Sequence, residues 1–158
     1  MRLREIAVAV GTLAICLTAN IGRAQPPDPI VGTWHLNAQK SKFSPGPPLK
    51  SVVLKFEQTA QGMKAISEVT LPDGQPRTTE FTAPTDGKDV PLTGSPIADT
   101  VSLKADGSKR TRVDKKGGKV VMTYAGSISP NGKTFTVHQK GTNEKGEALE
   151  NHLVFEKH

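Results

Sequence analysis

Past residue 30, apolar and polar positions in this chain alternate with a period of two. Ile30, Gly32, Trp34 and Leu36 share one side of the first such segment, and Val31, Thr33 and His35 share the other. Val52, Leu54 and Phe56 alternate with Val53, Lys55 and Glu57. Phe135 and Val137 alternate with Thr134, Thr136 and His138. Leu153 and Phe155 oppose His152, Val154 and Glu156. Half-buried strands repeat every two residues, whereas an amphipathic helix repeats every 3.6 or so. No stretch past residue 30 carries a helical period over the length a helix needs. Turn signals punctuate the segments at Gln61-Gly62, Asp73-Gly74, Asp86-Gly87, Asp106-Gly107, Gly117-Gly118, Asn131-Gly132 and Lys145-Gly146. Asp-Gly and Asn-Gly readily take the positive φ of tight hairpins.

The pattern predicts ten strands, over 30–37, 51–60, 63–71, 76–83, 89–93, 100–105, 109–115, 119–128, 134–141 and 150–157. Short connections make them successive hairpins, and a meander of this length removes its edges by closing. The expected fold is therefore all-β, a single up-and-down antiparallel β-barrel of about 8–10 strands, occupying residues 30–158. Two stretches interrupt the rhythm. Asn37 to Lys50 holds Ser44-Pro45-Gly46-Pro47-Pro48, too rich in proline for a helix or a central strand, and is expected to cross one barrel mouth. Val90 to Pro96 predicts a short edge strand or an irregular rim.

Residues 1–24 read as a cleaved signal peptide. Arg2 and Arg4 precede an uncharged apolar run from Ile6 to Leu17, too short for the ~20 residues of a membrane span. Gly22 and Ala24 place small side chains before a cut ahead of Gln25. Cys16 follows Ile15 where a lipoprotein signal needs a small residue, so it is expected to leave with the leader, and a mature chain without cysteine has neither disulfides nor thiolate metal sites. Residues 25–29 form a proline-rich N-terminal tether. The implied address is periplasmic or secreted, with no membrane span, and a monomer is expected. Loss of the leader lowers the formal net charge from +6 to +4. These charges are interleaved in sign, unlike the dense basic face of a nucleic-acid binder, so nucleic acid is not an expected partner.

Gly32-Thr33-Trp34 resembles the Gly-x-Trp element that opens the first barrel strand of lipocalins. Thr33-Trp34-His35-Leu36 is similar to the opening strand of intracellular fatty-acid-binding proteins, and Leu153-Val154-Phe155-Glu156-Lys157 to their last strand. Together these resemble the calycin superfamily, and within it small exported bacterial lipocalin-like proteins. The resemblance implies that Trp34, beside Gly32, closes one barrel end, with Lys157 or Lys140 packed across its ring. The Thr-Asp-Tyr element of lipocalins and the Arg-x-Tyr pair of fatty-acid-binding proteins are absent, so fatty-acid binding is not carried over.

The reading that follows is an exported binding protein holding a small hydrophobic or amphipathic molecule inside the barrel, against Leu36, Val52, Leu54, Phe56, Phe135, Val137, Leu153 and Phe155. The alternative is an envelope or extracellular interaction module that uses rim loops around a packed, ligand-free barrel. No catalytic constellation and no cofactor motif is present; an enzyme ranks third. His35, His138 and His152 would form a zinc or copper set if the last strand met the first, but their parity puts them on the polar face, where solvent-facing strand residues are the plainer reading, and no metal is assigned. Asp86, Asp89, Asp99 and Glu80 near the rim read as turn caps before calcium ligands or an acid–base pair. Lys115-Lys116-Gly117-Gly118-Lys119 reads as a solvated hairpin tip before an anion site.

Overall fold

A computed structural model describes residues 26–158; the expected signal peptide, Cys16 included, lies outside them. Ten strands follow in chain order: β1 (Gly32–Leu36), β2 (Ser51–Thr59), β3 (Gly62–Thr70), β4 (Pro76–Ala83), β5 (Asp86–Pro91), β6 (Thr100–Asp106), β7 (Lys109–Lys116), β8 (Lys119–Ile128), β9 (Thr134–Thr142) and β10 (Ala148–Lys157). All neighbours pair antiparallel in a single sheet ordered β4-β3-β2-β1-β10-β9-β8-β7-β6-β5. The all-β up-and-down barrel expected from the alternation and the calycin resemblance is the fold found. No helix is present among the described residues.

β1 joins the two ends of the meander, pairing with β10 through Trp34↔Lys157, His35↔Glu156 and Leu36↔Phe155, and with β2 through Gly32↔Phe56 to His35↔Val53. It is five residues long against ten for β10. The proline-rich crossing supplies the partner that β1 leaves missing. Lys42 bridges His152, and the Glu150 N–H donates to the Ser44 carbonyl, so the edge of β10 is not left with unpaired backbone groups. Beyond it, Phe43, Pro45, Pro47 and Leu49 turn into the barrel interior at its mouth.

The closure is nearly complete, not complete. β4 and β5 share no ladder. The loop after β5 stitches the seam instead: Glu80 and Thr93 exchange backbone hydrogen bonds, and buried Leu92 and Ala98 fill the gap. Gly94 makes this approach feasible. Its φ is +78°, and a Cβ there would lie 2.0 Å from the Thr78 carbonyl oxygen, so only glycine fits. The expected edge strand at 89–93 is displaced to Asp86–Pro91, with a register shift between Asp86 and Asp89. Proline at 91 has no N–H to extend the ladder.

At the opposite end lies the floor. Trp34 is fully buried, its ring 5.7 Å from that of Phe135. Its Nε1–H donates to the Ile30 carbonyl at 2.7 Å. Lys157 crosses the indole with Nζ 5.1 Å from the ring centroid and donates to the Pro29 carbonyl at 2.9 Å; Lys140 sits on β9, opposite Glu150, away from this ring. Gly32, at φ +127°, leaves room for that crossing, since a Cβ would stand 2.8 Å from Lys157 Cε. Asp28 pairs with the buried Arg110 guanidinium and caps the Ile30 N–H. The segment before β1 is thus packed under the barrel, and β1 begins at Gly32 because Pro29 and Ile30 form a turn. Replacing Trp34 by alanine is expected to cost about 3–5 kcal/mol, and Lys157→Ala about 1 kcal/mol; urea unfolding followed by circular dichroism reads both.

Candidate functional site

Inward-facing positions of eight strands, all but β1 and β5, enclose a cavity of about 370 Å³. Val52, Leu54 and Phe56 on β2, Phe135 and Val137 on β9, and Leu153 and Phe155 on β10 all lie on its wall. Leu36 does not. It packs half-buried against the core where β1 ends and the chain leaves the barrel wall, so sharing Trp34's parity does not bring it to the cavity. Phe81, Met63, Val69, Leu103 and Met122 add apolar wall that the sequence reading did not single out.

The interior also holds a polar belt. Register places Arg112 beside Tyr124, Tyr124 beside Gln139, and Gln139 beside Asn151, one row across β7, β8, β9 and β10. Arg112 donates Nε–H and Nη2–H to the two Asp114 oxygens at 2.7 and 2.8 Å. Its guanidinium lies between the Phe81 and Tyr124 rings, 4.9 and 4.8 Å from their centroids. Asn151 donates to Gln139 Oε1 at 3.0 Å and accepts from the Ser44 N–H of the crossing. No buried side-chain nitrogen or oxygen among the described residues is left without a partner. Bidentate pairing of this kind is what makes a charged pair tolerable away from bulk water.

The belt went unseen because β7 inverts the usual polarity. Arg110, Arg112 and Asp114 point inward, while Val113 points away. Alternation reveals that two faces exist, and hydrophobicity normally says which is inside; here it gives the wrong side. The available signal was the row itself, since hairpin register aligns Arg112, Tyr124, Gln139 and Asn151 once the turns are placed.

Burial shapes the protonation of this row. Desolvation opposes the charge on Arg112, yet Tyr124 and Asp114 outweigh it and hold its pKa above the ordinary value. Burial pushes the Tyr124 phenol up to about 12, partly offset by Arg112 and reinforced by Asp114.

An ion pair ties two sides of the cavity wall together. Arg77, at the start of β4, pairs with Glu144 in the β9–β10 turn, and both border the cavity, as do Phe43 and Leu49. The rim carboxylates do not converge. Asp89 pairs with Lys115 at 2.7 Å, Glu80 with Lys64 at 3.1 Å, Asp99 accepts from the Gly117 N–H, and Asp86 caps the Lys88 N–H. The lysine-rich hairpin tip is therefore held by Asp89 and Asp99. His138 and His152 face each other on the outer surface with ring centroids 4.4 Å apart. His35 stands apart from them, four positions further along β10, against His158.

No family model matches the chain, and no curated protein matches it. Among solved structures it is similar to zebrafish ileal bile acid-binding protein complexed with cholic acid, at 11% identity, covering 83% of this chain and 100% of that one, with a TM-score of 0.46. It is also similar to the siderocalin Ex-FABP, at 11% identity over 83% of this chain and 75% of that one, with a TM-score of 0.38. These are distant likenesses in the arrangement of strands.

Tyr124 is the single tyrosine of the chain, so phenolate absorbance reads it directly, and a midpoint near 12 is expected. An unfolded tyrosine titrates at about 10, so above that pH the unfolded chain binds fewer protons than the native one. The contribution of Tyr124 to stability is whole below pH ~10 and lost as pH rises toward ~12. In alkaline denaturant titrations, Tyr124→Phe is expected to flatten this fall.

Proposed function

We propose that this protein is an exported carrier that holds one small amphipathic molecule inside its barrel. The observation that carries the reading is the cavity. Its about 370 Å³ falls within the roughly 300–1,000 Å³ of small-molecule sites, which pair a mostly apolar wall with a few placed polar groups. A packed, ligand-free interior fits such a space poorly. The apolar portion of the ligand would lie among Phe56, Phe81, Phe135 and Phe155, where removing its surface from water is worth about 25 cal/mol per Å² before ordering costs.

The belt narrows the ligand class. Arg112 and Asp114 cancel each other's charge, so the row offers hydrogen bonds with no net charge. A hydroxyl, carbonyl or amide at one end of the ligand suits it, because a bare ion would lose its hydration without gaining a counter-ion. The leader-like N-terminus supports export to the periplasm or beyond, where a carrier would take its ligand from an aqueous compartment.

Binding of an apolar fluorescent probe to purified protein is expected to saturate at one site per chain and to be displaced by amphipathic alcohols or amides. Ser67→Phe adds bulk to the cavity wall and is expected to weaken binding tenfold or more, about 1.4 kcal/mol, with circular dichroism unchanged. Absence of saturable binding by the unmodified protein across apolar and amphipathic probes would overturn the carrier reading. For export, fractionation of a Gram-negative host expressing the full chain, with N-terminal sequencing of the product, is expected to give a mature start at Gln25; full-length protein retained in the cytoplasm would overturn it.

A further inference from the structure

We infer that His138, Glu150 and His152 form a site for one divalent transition-metal ion, zinc or copper, on the outer face of the barrel. The three come together through strand geometry alone. His138 on β9 and His152 on β10 are register partners, which sets their Cβ atoms roughly 4.5–5.5 Å apart on one face. Glu150 lies two residues before His152 and so projects from that same face. Among the described residues this is the one group of three such side chains whose donor atoms converge, all lying within 4.8 Å of one another.

The donor set has the chemistry of a metal centre. Two imidazoles and a carboxylate suit borderline ions such as Zn²⁺ and Cu²⁺, at about 2.0–2.2 Å per bond. Tetrahedral donors at such distances stand roughly 3.3 Å apart, so closing the site takes side-chain rotations of about an ångström and no backbone movement. His138 Nε2 already lies 2.8 Å from Glu150 Oε1, sharing a proton where the ion would sit. The two imidazoles stack 12° from parallel, and an ion would take the ring lone pair that a proton otherwise occupies. Across the next ladder, His138 is flanked by Ala125, whose methyl leaves the fourth coordination position open to water or an incoming group. His35 and His158 pack together away from the cluster and provide an internal control.

Isothermal titration of untagged full-length protein with zinc chloride, and separately with copper(II), in a non-chelating buffer tests the site. One ion per chain is expected, with micromolar affinity. His138→Ala and His152→Ala are each expected to weaken it at least tenfold and Glu150→Gln less, whereas the double variant His35→Ala/His158→Ala leaves it unchanged. These side chains are on the outer face, so circular dichroism of the variants stays that of the parent, and cavity-probe binding is unaffected, which separates this site from the carrier reading. No saturable heat with either ion, or binding that survives the combined His138→Ala/His152→Ala change, would overturn the assignment.

Discussion

The indole of Trp34 is the point at which the two ends of a ten-strand meander become one wall. β1 is short, yet it alone bridges β2 and β10, and its centre is held from three directions. The ring N–H is satisfied by the Ile30 carbonyl, one face is covered by Lys157 from the last strand, and an edge meets Phe135 from the strand before it. A buried indole without a hydrogen-bond partner would carry a desolvation cost on the scale of a lost hydrogen bond. Satisfying it from the preceding turn therefore draws the segment before β1 under the barrel, and with it Asp28 toward Arg110. The long-range contacts that seal the floor join residues from 82 to 128 positions apart.

A sealed floor sets the character of the rest of the interior. Apolar side chains gather at depth, and the row from Arg112 to Asn151 lies nearer the mouth, where the crossing brings Ser44 to meet it. A charged pair inside a barrel is stable only if every donor and acceptor finds a partner. Here the aromatic faces of Phe81 and Tyr124, the Asp114 carboxylate and the neighbouring amides supply them. The same row that satisfies itself also gives the cavity its direction, an apolar end and a hydrogen-bonding end, and that polarity is the basis for reading it as a site for an amphipathic molecule.

The seam between β4 and β5 shows a second way to finish a barrel. Complete closure would require a ladder there, and β5, which ends at Pro91, forms one with β6 alone. A loop takes its place, docked on β4 through a glycine that no other residue could replace without striking the Thr78 carbonyl. The proline-rich crossing solves the corresponding problem beside β10. In both places the chain breaks its alternation, and in both the irregular segment satisfies a sheet edge while shaping the cavity mouth.

Alternation and turn chemistry carried the strands, their order and their antiparallel pairing, because these depend on neighbours in sequence: the period of two, and the glycines that turn one strand into the next. Leu54, Phe135 and Leu153 reach the cavity wall because they lie on strands whose apolar face is the inner one. What followed only from the tertiary structure is where local polarity and global position disagree. Arg112 and Asp114 face inward because β7 must keep its register with β8, and their cost is met by Tyr124 on the neighbouring β8 and by Phe81 on β4, distant along the chain. Leu36 misses the cavity because β1 stops there. His138, Glu150 and His152 converge because two strands pair in one register and not its neighbour, and a shift of a single residue would put His138 on the face opposite Glu150 and His152. A local pattern sets which side chains share a face; only the closed sheet sets what each face meets.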